Sequence, residues 1–216
     1  MSGLFGVVHL DGRPVEGADL DRMSLALAHH GADGVAIRVS GAVGMGQRSR
    51  WFTPEDRLDR PPLRSADGSR LLVADVRIDN RRELLAELEG RADRVGDARL
   101  LLAAFERWGE ECVDHLVGVY AFALWDERER RLFLARSPIV APALFYHEAP
   151  GVLAFATMPS GLLALPFVPR ALNEASPLRS PRCQWVSTVT ACPRRSDSSA
   201  MSRTKYSEPP GKGTYL

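Results

Sequence analysis

The sequence predicts an α+β fold in which helices are layered over antiparallel sheets, and three observations lead to that prediction. Short apolar runs of strand length form two groups within the first 174 residues. Segments with helical spacing of their apolar residues lie between these groups. Most successive strands are joined by connections too short for a parallel crossover, so that neighbouring strands are expected to run antiparallel. Helices packed on such strands are typical of an α+β domain.

The first third of the chain is predicted to form a buried strand, a helix and a hairpin. The strand is the apolar run from Leu4 to Leu10, which ends at a turn, Asp11-Gly12. Asp19 is then expected to cap a helix. The apolar face of this helix carries residues three or four positions apart, which are Leu20, Met23 and Leu27. The hairpin covers residues 35–47 and turns at Ser40-Gly41.

The middle of the chain is predicted to add one buried strand and further helices. A polar loop over 54–62 leads to a strand over 71–76, and a short helix follows over 81–88. Asp97 is expected to cap a strongly amphipathic helix that ends at Gly109. The apolar stripe of that helix consists of Leu100, Leu101, Ala104, Phe105 and Trp108. Another short helix is expected over 112–116.

Four short strands are predicted in the last part of the domain, with tight connections between them. They cover residues 120–125, 131–135, 143–146 and 152–156, and residues 126–129 form the turn between the first two.

The composition of the chain changes at about residue 175. Residues 1–174 contain no lysine, whereas both lysines of the chain, Lys205 and Lys212, lie beyond them. From residue 175 onward hydrophobic periodicity stops and Ser, Pro, Arg and Thr dominate. Such a segment buries too little apolar surface to offset the entropy lost on ordering. We therefore expect one domain over 1–174 and a disordered tail over 175–216, which is either natural or translated in a shifted reading frame.

Composition and charge argue against several classes of function. A formal net charge of +1 does not favour a nucleic acid or an anionic membrane as partner. No apolar run approaches the roughly 20 residues that span a bilayer, and the first residues lack the pattern of a secretory signal, so we expect a cytoplasmic protein. The three cysteines are irregularly spaced, which favours neither disulfides nor zinc. His29 and His30 have no third ligand at a useful spacing, so no metal site is expected.

The second residue is a candidate nucleophile. A small residue after Met1 allows Met1 to be removed, which would leave Ser2 with a free α-amino group. Such an amine has a pKa of about 8. It can therefore act as the general base for the hydroxyl of the same residue. Met-Ser is also an ordinary way for a chain to begin, so this pattern alone leaves the question open.

Several motifs occur in an order that resembles a known family. They are the opening Ser2-Gly3-Leu4-Phe5-Gly6, the segment 29–33, the segment 78–84 and the longer stretch 96–136. Together they are similar to the N-terminal glutaminase domain of glutamine-dependent asparagine synthetases, a class II (N-terminal nucleophile) amidotransferase. The resemblance covers about residues 2–174. It implies a four-layer αββα sandwich with the nucleophile between two antiparallel sheets.

The resemblance implies an activity and a set of partners. In that family glutamine is hydrolysed at the N-terminal residue, and ammonia passes to a synthetase domain that uses ATP to amidate aspartate. That second domain carries a glycine-serine-rich pyrophosphate loop, for which the isolated Gly211-Lys212-Gly213 has neither the spacing nor the following helix. We therefore expect no cofactor in this chain, with ATP and Mg needed only in a missing synthetase domain. The expected partners are glutamine if the site is active, a synthetase domain in cis or in trans, and a second copy as a homodimer.

Four positions to which the resemblance assigns catalytic or binding roles are substituted. Ser2 stands where the family has a cysteine, which is the better nucleophile. Asp75 and Val76 stand where an Asn-Gly pair donates to the developing oxyanion, and an ionised aspartate can only accept hydrogen bonds. Arg77 replaces a glutamate of the substrate-binding motif. The alternative for Asp75 and Arg77 is a salt bridge on an edge strand.

The substrate-binding positions are only partly retained. The family arginine for the glutamine α-carboxylate aligns with Ser49, so the flanking Arg48 or Arg50 is expected to provide the guanidinium. Asp97 matches the aspartate that binds the α-ammonium. We therefore expect negligible glutamine hydrolysis. The alternative is a non-catalytic scaffold domain of a synthetase that forms amides without ammonia, of the β-lactam or lasso-peptide type.

Overall fold

The computed structural model describes residues 1–53, 55–88, 95–137 and 142–170. The predicted elements occur in the predicted order, and the structure adds the strand Leu63–Arg64, the helix Pro159–Leu163 and the 3-10 helix Glu55–Arg57, which were not predicted. The helices and strands are β1 (Gly3–His9), α1 (Gly17–Ala26), β2 (Gly34–Ser40), β3 (Val43–Ser49), β4 (Leu63–Arg64), β5 (Arg70–Ile78), α2 (Arg81–Glu87), α3 (Asp97–Trp108), β6 (Gly118–Asp126), β7 (Arg131–Arg136), β8 (Phe145–Ala149), β9 (Val152–Ala156) and α4 (Pro159–Leu163). The predicted tail, 175–216, lies outside the described residues.

The described strands form two antiparallel sheets. The first has the order β2-β3-β1-β9-β8, and the second has the order β4-β5-β6-β7. β1 lies at the centre of the first sheet, where it pairs with β3 on one side and β9 on the other. The second sheet is a meander in which β5 pairs along its length with β6. These pairings confirm the predicted α+β class.

Three clusters of buried side chains hold the layers together. Leu4, Val73, Trp125 and Phe155 belong to the cluster between the two sheets. α1 and α4 pack on the outer face of the first sheet, and α2 and α3 pack on the outer face of the second. Each fully buried side chain of this size stabilises the fold by about 1.5–3 kcal/mol. The order of layers is therefore αββα, as the resemblance implied.

The local signals explain the best-predicted elements. The β2–β3 hairpin has the short loop that the sequence indicated, and Gly41 provides the positive φ of 56° that this turn requires. The stripe of α3 faces the second sheet, where Leu100, Leu101 and Ala104 are fully buried. Gly109, with a φ of 61°, ends the helix as expected.

Two predicted helix caps are wrong. Glu16 and Gly96 occupy the N-cap positions of α1 and α3, and neither makes a side-chain cap hydrogen bond. Asp19 lies inside the first turn of α1, where it accepts a hydrogen bond from Arg22 at 2.6 Å. Asp19 and Asp97 both lie just inside their helices, because a carboxylate in the first turn is favoured electrostatically without acting as the cap.

Two predicted boundaries also differ from the structure. β8 begins at Phe145 and not at residue 143, and the short helix expected at 112–116 is the 3-10 helix Gly109–His115. Element ends are the least constrained part of a local sequence pattern. Among the described residues, no helix combines the length and the apolar character needed to cross a bilayer.

Candidate active site

A cavity of about 610 Å³ lies where the start of β1 meets the ends of β3 and β5 and the beginning of α3. The loop that follows β3 closes one side of it with Trp51 and Phe52. Six of the seven residues singled out from the sequence line this cavity, which are Ser2, Arg50, Asp75, Val76, Arg77 and Asp97. The fold therefore brings together groups that are widely separated in sequence.

Ser2 lies at the floor of the cavity and is only 4% exposed. Its backbone N–H donates to Asp75 Oδ2 at 3.1 Å, and its Oγ accepts the backbone N–H of Arg50 at 3.2 Å. The next residues of the strand are paired on both sides, Gly3 opposite Arg48 and Leu4 with Thr157. The sheet thus fixes the position of the candidate nucleophile.

Asp75 faces Ser2 from β5, across the gap between the two sheets. Burial raises the pKa of the Asp75 carboxyl, and the negative charge of Asp56 acts in the same direction. The N-terminal ammonium and hydrogen bonds from the backbone and side chain of Ser2 oppose this rise. A carboxylate therefore lies at the position where the resemblance implies an amide that donates to an oxyanion. Val76, the next position, is partly buried and is paired with Tyr120 in the sheet.

Each carboxylate oxygen of Asp97 accepts a hydrogen bond from the protein. Its Oδ2 accepts the backbone N–H of Ile78 at 2.9 Å, and its Oδ1 accepts from Arg81 at 2.6 Å. These contacts tie the beginning of α3 to the end of β5. The side chain lines the cavity, but a ligand ammonium would have to share its oxygens with these two donors.

The two arginines considered for the α-carboxylate have different environments. Arg48 points toward α1, where its guanidinium donates to the carbonyl of His30 at 3.1 Å and to Ser24 Oγ at 3.2 Å. Arg50 lines the cavity, and its half-exposed guanidinium lies 3.8 Å from Asp33. Of these two arginines, Arg50 is therefore the one available to a ligand in the cavity.

Arg77 forms an ion pair with Asp79 at 3.1 Å, and its side chain is 79% exposed. The salt bridge considered between Asp75 and Arg77 is absent from the described residues, so that alternative is wrong. The reason is local, because Asp75 turns toward Ser2 whereas Arg77 extends into solvent at the cavity rim.

Gln47 is a site residue that the sequence reasoning missed. It lies on β3 and is 4% exposed. Its side-chain amide donates to the carbonyl of Ala74 at 2.9 Å and accepts the N–H of Ala74 at 3.0 Å. This pair of hydrogen bonds joins the two sheets one residue before Asp75. A polar side chain at the end of the otherwise small and apolar run 43–46 was the signal that could have found it.

Asp59 is the second missed residue. Its Oδ2 accepts the N–H groups of Ala98 at 2.9 Å and Arg99 at 3.3 Å, so it caps α3 from a distant loop. Its Oδ1 is buried and has no hydrogen-bond partner in the part of the chain that the structure describes. Burial raises the pKa of this carboxyl. No local sequence pattern indicates a cap that comes from another loop.

The possible metal ligands do not converge within the described ranges. No group of three or more His, Cys, Asp or Glu side chains there has the arrangement of a metal site. His29 and His30 pack ring against ring, with centroids 4.4 Å apart, at the end of the first helical segment.

The fold and the cavity together define a class of protein. Two stacked antiparallel sheets hold the second residue of the chain between them at the floor of a cavity, which is the arrangement of an N-terminal-nucleophile amidotransferase sandwich. The family described as "Glutamine amidotransferase domain" matches residues 1–191. The chain therefore belongs to the glutamine amidotransferase domain family.

Relatives of known name place the domain within this family. Asparagine synthetase [glutamine-hydrolyzing] 3 of Bacillus subtilis is 29% identical over 171 residues, which cover 77% of this chain and 28% of the relative. A putative asparagine synthetase of Mycobacterium bovis is 33% identical over 176 residues, covering 69% of this chain and 26% of the relative. The chain thus spans about a quarter of the length of these relatives, and it is a glutamine amidotransferase domain related to asparagine synthetase.

Solved structures support the fold independently. The glutamine phosphoribosylpyrophosphate amidotransferase from B. subtilis, complexed with ADP and GMP, superposes with a TM-score of 0.60 at 18% identity. The match covers 75% of this chain and 43% of that one. At this identity the likeness shows the sandwich fold alone.

Proposed function

We propose that this chain is the amidotransferase domain of an asparagine synthetase-type enzyme, and that its glutamine hydrolysis is impaired. In such an enzyme the domain would release ammonia from glutamine for the ATP-dependent amidation of aspartate by a synthetase domain in cis or in trans. Here Ser2, Asp75 and Arg77 replace the cysteine, asparagine and glutamate that the resemblance implies. The resemblance assigns the chemistry to positions 2 and 75 and substrate binding to position 77.

The observation that carries this proposal is the carboxylate of Asp75 beside Ser2, with Oδ2 3.1 Å from the Ser2 nitrogen. Attack on a carboxamide builds negative charge on its oxygen, which needs hydrogen-bond donors. An ionised carboxylate donates nothing and repels that charge. Loss of one such donor costs roughly 10²–10³ in rate, and repulsion adds to this loss.

The nucleophile adds to the impairment. A serine hydroxyl depends on its base far more than a cysteine thiol does, because a thiol ionises closer to neutral pH and sulfur is more nucleophilic. Substrate binding is expected to be weak as well. Asp97 already accepts hydrogen bonds from Ile78 and Arg81. Of Arg48 and Arg50, only Arg50 can reach a ligand in the cavity, and its guanidinium is half-exposed to solvent. A glutamine that enters the cavity would therefore be held loosely and attacked slowly.

Glutamine turnover tests the proposal directly. Release of glutamate from glutamine is measured for the chain that begins at Ser2 and for a Ser2→Ala control. We expect no difference between them, because a carboxylate replaces the amide donor at position 75. A Ser2→Cys/Asp75→Asn double variant should turn over glutamine roughly 10²–10³ faster than Ser2→Cys alone. Turnover of the unaltered chain well above that of Ser2→Ala would refute the impairment.

A second candidate is a non-catalytic scaffold domain, or pseudoenzyme, of a synthetase that forms amides without ammonia. The joint change at positions 2, 75 and 77, beside an intact core and an open cavity, favours this interpretation over random damage. Calorimetric titration with glutamine separates the two candidates. Saturable binding without turnover supports an impaired amidotransferase, and absence of binding supports the scaffold.

A further inference from the structure

The contact between Ser2 and Asp75 changes its chemistry when Met1 is removed. Hydrolysis of the Met1–Ser2 peptide bond consumes one water, releases free methionine, and converts the Ser2 amide nitrogen into a primary amine. In the chain that carries Met1, that nitrogen is a neutral amide donating to Asp75 Oδ2 at 3.1 Å. In the shortened chain, the same atom becomes a basic amine at the same distance from a carboxylate.

The sheets prevent the two groups from moving apart. Gly3 pairs with Arg48, the N–H of Leu4 donates to Thr157 Oγ1 at 3.1 Å, and the N–H of Thr157 donates to the carbonyl of Leu4 at 2.9 Å. On the facing sheet, Asp75 is held in register opposite Ala121. The backbone of both sheets therefore holds the Ser2 nitrogen and the Cα of Asp75 in place, within reach of the hydrogen bond observed between them.

The surrounding charges favour a cation at the Ser2 nitrogen. The acidic residues that line the same cavity are Asp56, Asp59, Asp75 and Asp97. The cavity arginines, Arg50 and Arg77, each have a carboxylate of their own outside it, Asp33 and Asp79 respectively. His30 also interacts with Asp75, and its pKa is lowered by burial, so it is neutral near pH 7. In the chain that carries Met1, the cation that acts most strongly on Asp75 is the ammonium of Met1, so this carboxylate already attracts a positive N-terminus.

We propose that, after removal of Met1, the α-ammonium of Ser2 and the carboxylate of Asp75 form an ion pair that keeps the amine protonated. An ammonium has no lone pair, so it cannot take the proton of the Ser2 hydroxyl. Asp75 is then a positioning residue that anchors the N-terminus and withholds its base. The loss of the base matters for glutamine hydrolysis only if the proposed function is correct. The inference itself concerns the protonation of the Ser2 amine and not glutamine turnover.

The test compares two N-termini and two side chains at position 75. The full chain is produced as a cleavable fusion that is cut to leave either Ser2 or Met1 as the first residue. Each of these two chains is prepared with Asp75 and with Asp75→Asn. The pH midpoint for acylation of the α-amine is measured by mass spectrometry of the N-terminal peptide. The pH midpoint is used and not the rate of acylation, because burial of Ser2 slows the reaction at every pH and leaves the midpoint unchanged.

For the chain that begins at Ser2, we expect the midpoint to be at least one pH unit higher in the wild type than in Asp75→Asn, because the carboxylate favours the charged amine. Asp56→Asn, which removes a more distant cavity charge, should shift the midpoint much less. Equal midpoints for the wild type and Asp75→Asn would overturn the inference. Turnover by the wild-type chain despite a raised midpoint would instead contradict the proposed impairment and leave the ion pair standing.

Thermal unfolding provides a second measurement that does not depend on reagent access. Asp75→Asn should lower Tm at pH 7 in the chain that begins at Ser2, because an ion pair is lost. It should lower Tm much less in the chain that begins at Met1, because there the side-chain oxygen of the introduced asparagine can accept the same amide N–H and only the attraction between Asp75 and the Met1 ammonium is lost. A loss of the same size in both chains would contradict the ion pair. If Asp75→Asn fails to fold only when Ser2 is first, that failure supports it.

Discussion

Asp59 illustrates how one side chain serves both the fold and the cavity. The first N–H groups of a helix have no partner within the helix. Asp59 satisfies two of them at the beginning of α3, at Ala98 and Arg99, and lines the cavity as well. Gly96 leaves room for this contact, since a Cβ there would lie 2.1 Å from Asp59 Oδ2. The loop that carries Asp59 is thereby attached to the helix that carries Asp97.

Removal of the Asp59 carboxylate should destabilise the domain. We expect Asp59→Ala to lower the free energy of unfolding by about 1–2 kcal/mol at pH 7, because the cap of α3 is lost. Urea denaturation followed by circular dichroism measures this change. Arg60→Ala, a change at an exposed neighbour in the same loop, is the control and should stay within about 0.5 kcal/mol of the wild type.

The charge of Asp59 should also give the stability a pH dependence. Burial raises the pKa of this carboxyl, so the folded state binds its proton more readily than the unfolded chain. The part of its contribution that depends on pH is therefore present below the unfolded value of 3.8 and is lost as the pH rises through the folded pKa, whereas the cap hydrogen bonds to Ala98 and Arg99 remain. Relative to Asp59→Asn, the wild type should lose stability over that range in denaturation at successive pH values. A constant difference across the range would contradict the raised pKa.

At the scale of elements, the shortness of β4 explains the position of Gln47. β4 covers only Leu71 and Leu72 of β5, so no strand of the described residues pairs with the following part of β5 on that side. Ala74 would leave its N–H and C=O unpaired there, and the side chain of Gln47 meets both groups. A side chain from one sheet thus substitutes for a missing strand of the other, next to Asp75.

Replacement of this side chain should therefore cost more than a usual polar substitution. We expect Gln47→Met to lower the free energy of unfolding by about 3 kcal/mol, because two buried backbone groups lose their partners. Arg38→Met on the exposed face of β2 is the matched control and should change stability by less than about 0.5 kcal/mol. A loss in Gln47→Met no larger than that of the control would show that Ala74 finds other partners.

The elements that the sequence predicted well are those whose pattern is local. The β2–β3 hairpin and the stripe of α3 follow from residues within a few positions of one another. The cap provided by Asp59 and the cross-sheet contact of Gln47 join segments far apart in sequence, so no periodicity indicates them. Asp97 shows the same limit, since a pattern typical of an N-cap belongs to a residue that ties α3 to β5.

At the scale of the molecule, the site lies where the two sheets and the helix α3 meet. The first sheet provides Ser2, the second provides Asp75, and α3 on the outer face provides Asp97. The resemblance predicted this convergence, whereas composition and periodicity alone predicted only the α+β class. The environment of each side chain depends on the neighbours that packing brings to it. The different roles of Arg48, Arg50 and Arg77 could therefore not be distinguished from the sequence alone.

The three core clusters predict where the folded domain ends. Among the described residues, their most C-terminal member is Val168, which is 9% exposed and packs in the same cluster as Leu162 and Leu165. A chain that stops after Glu174 keeps this residue, and the change in composition at 175 favours that boundary. We expect its free energy of unfolding to stay within about 0.5 kcal/mol of the full chain.

A chain that stops after Pro166 is the control for this boundary. It lacks Phe167 and Val168, and burial of Val168 is worth about 1.5–3 kcal/mol, so its free energy of unfolding should fall by at least that amount. Urea denaturation of the three chains under the same conditions makes the comparison. A chain ending at Glu174 that is as unstable as the one ending at Pro166 would show that residues beyond 174 contribute to the fold, because the longer of the two keeps every core side chain of the described residues.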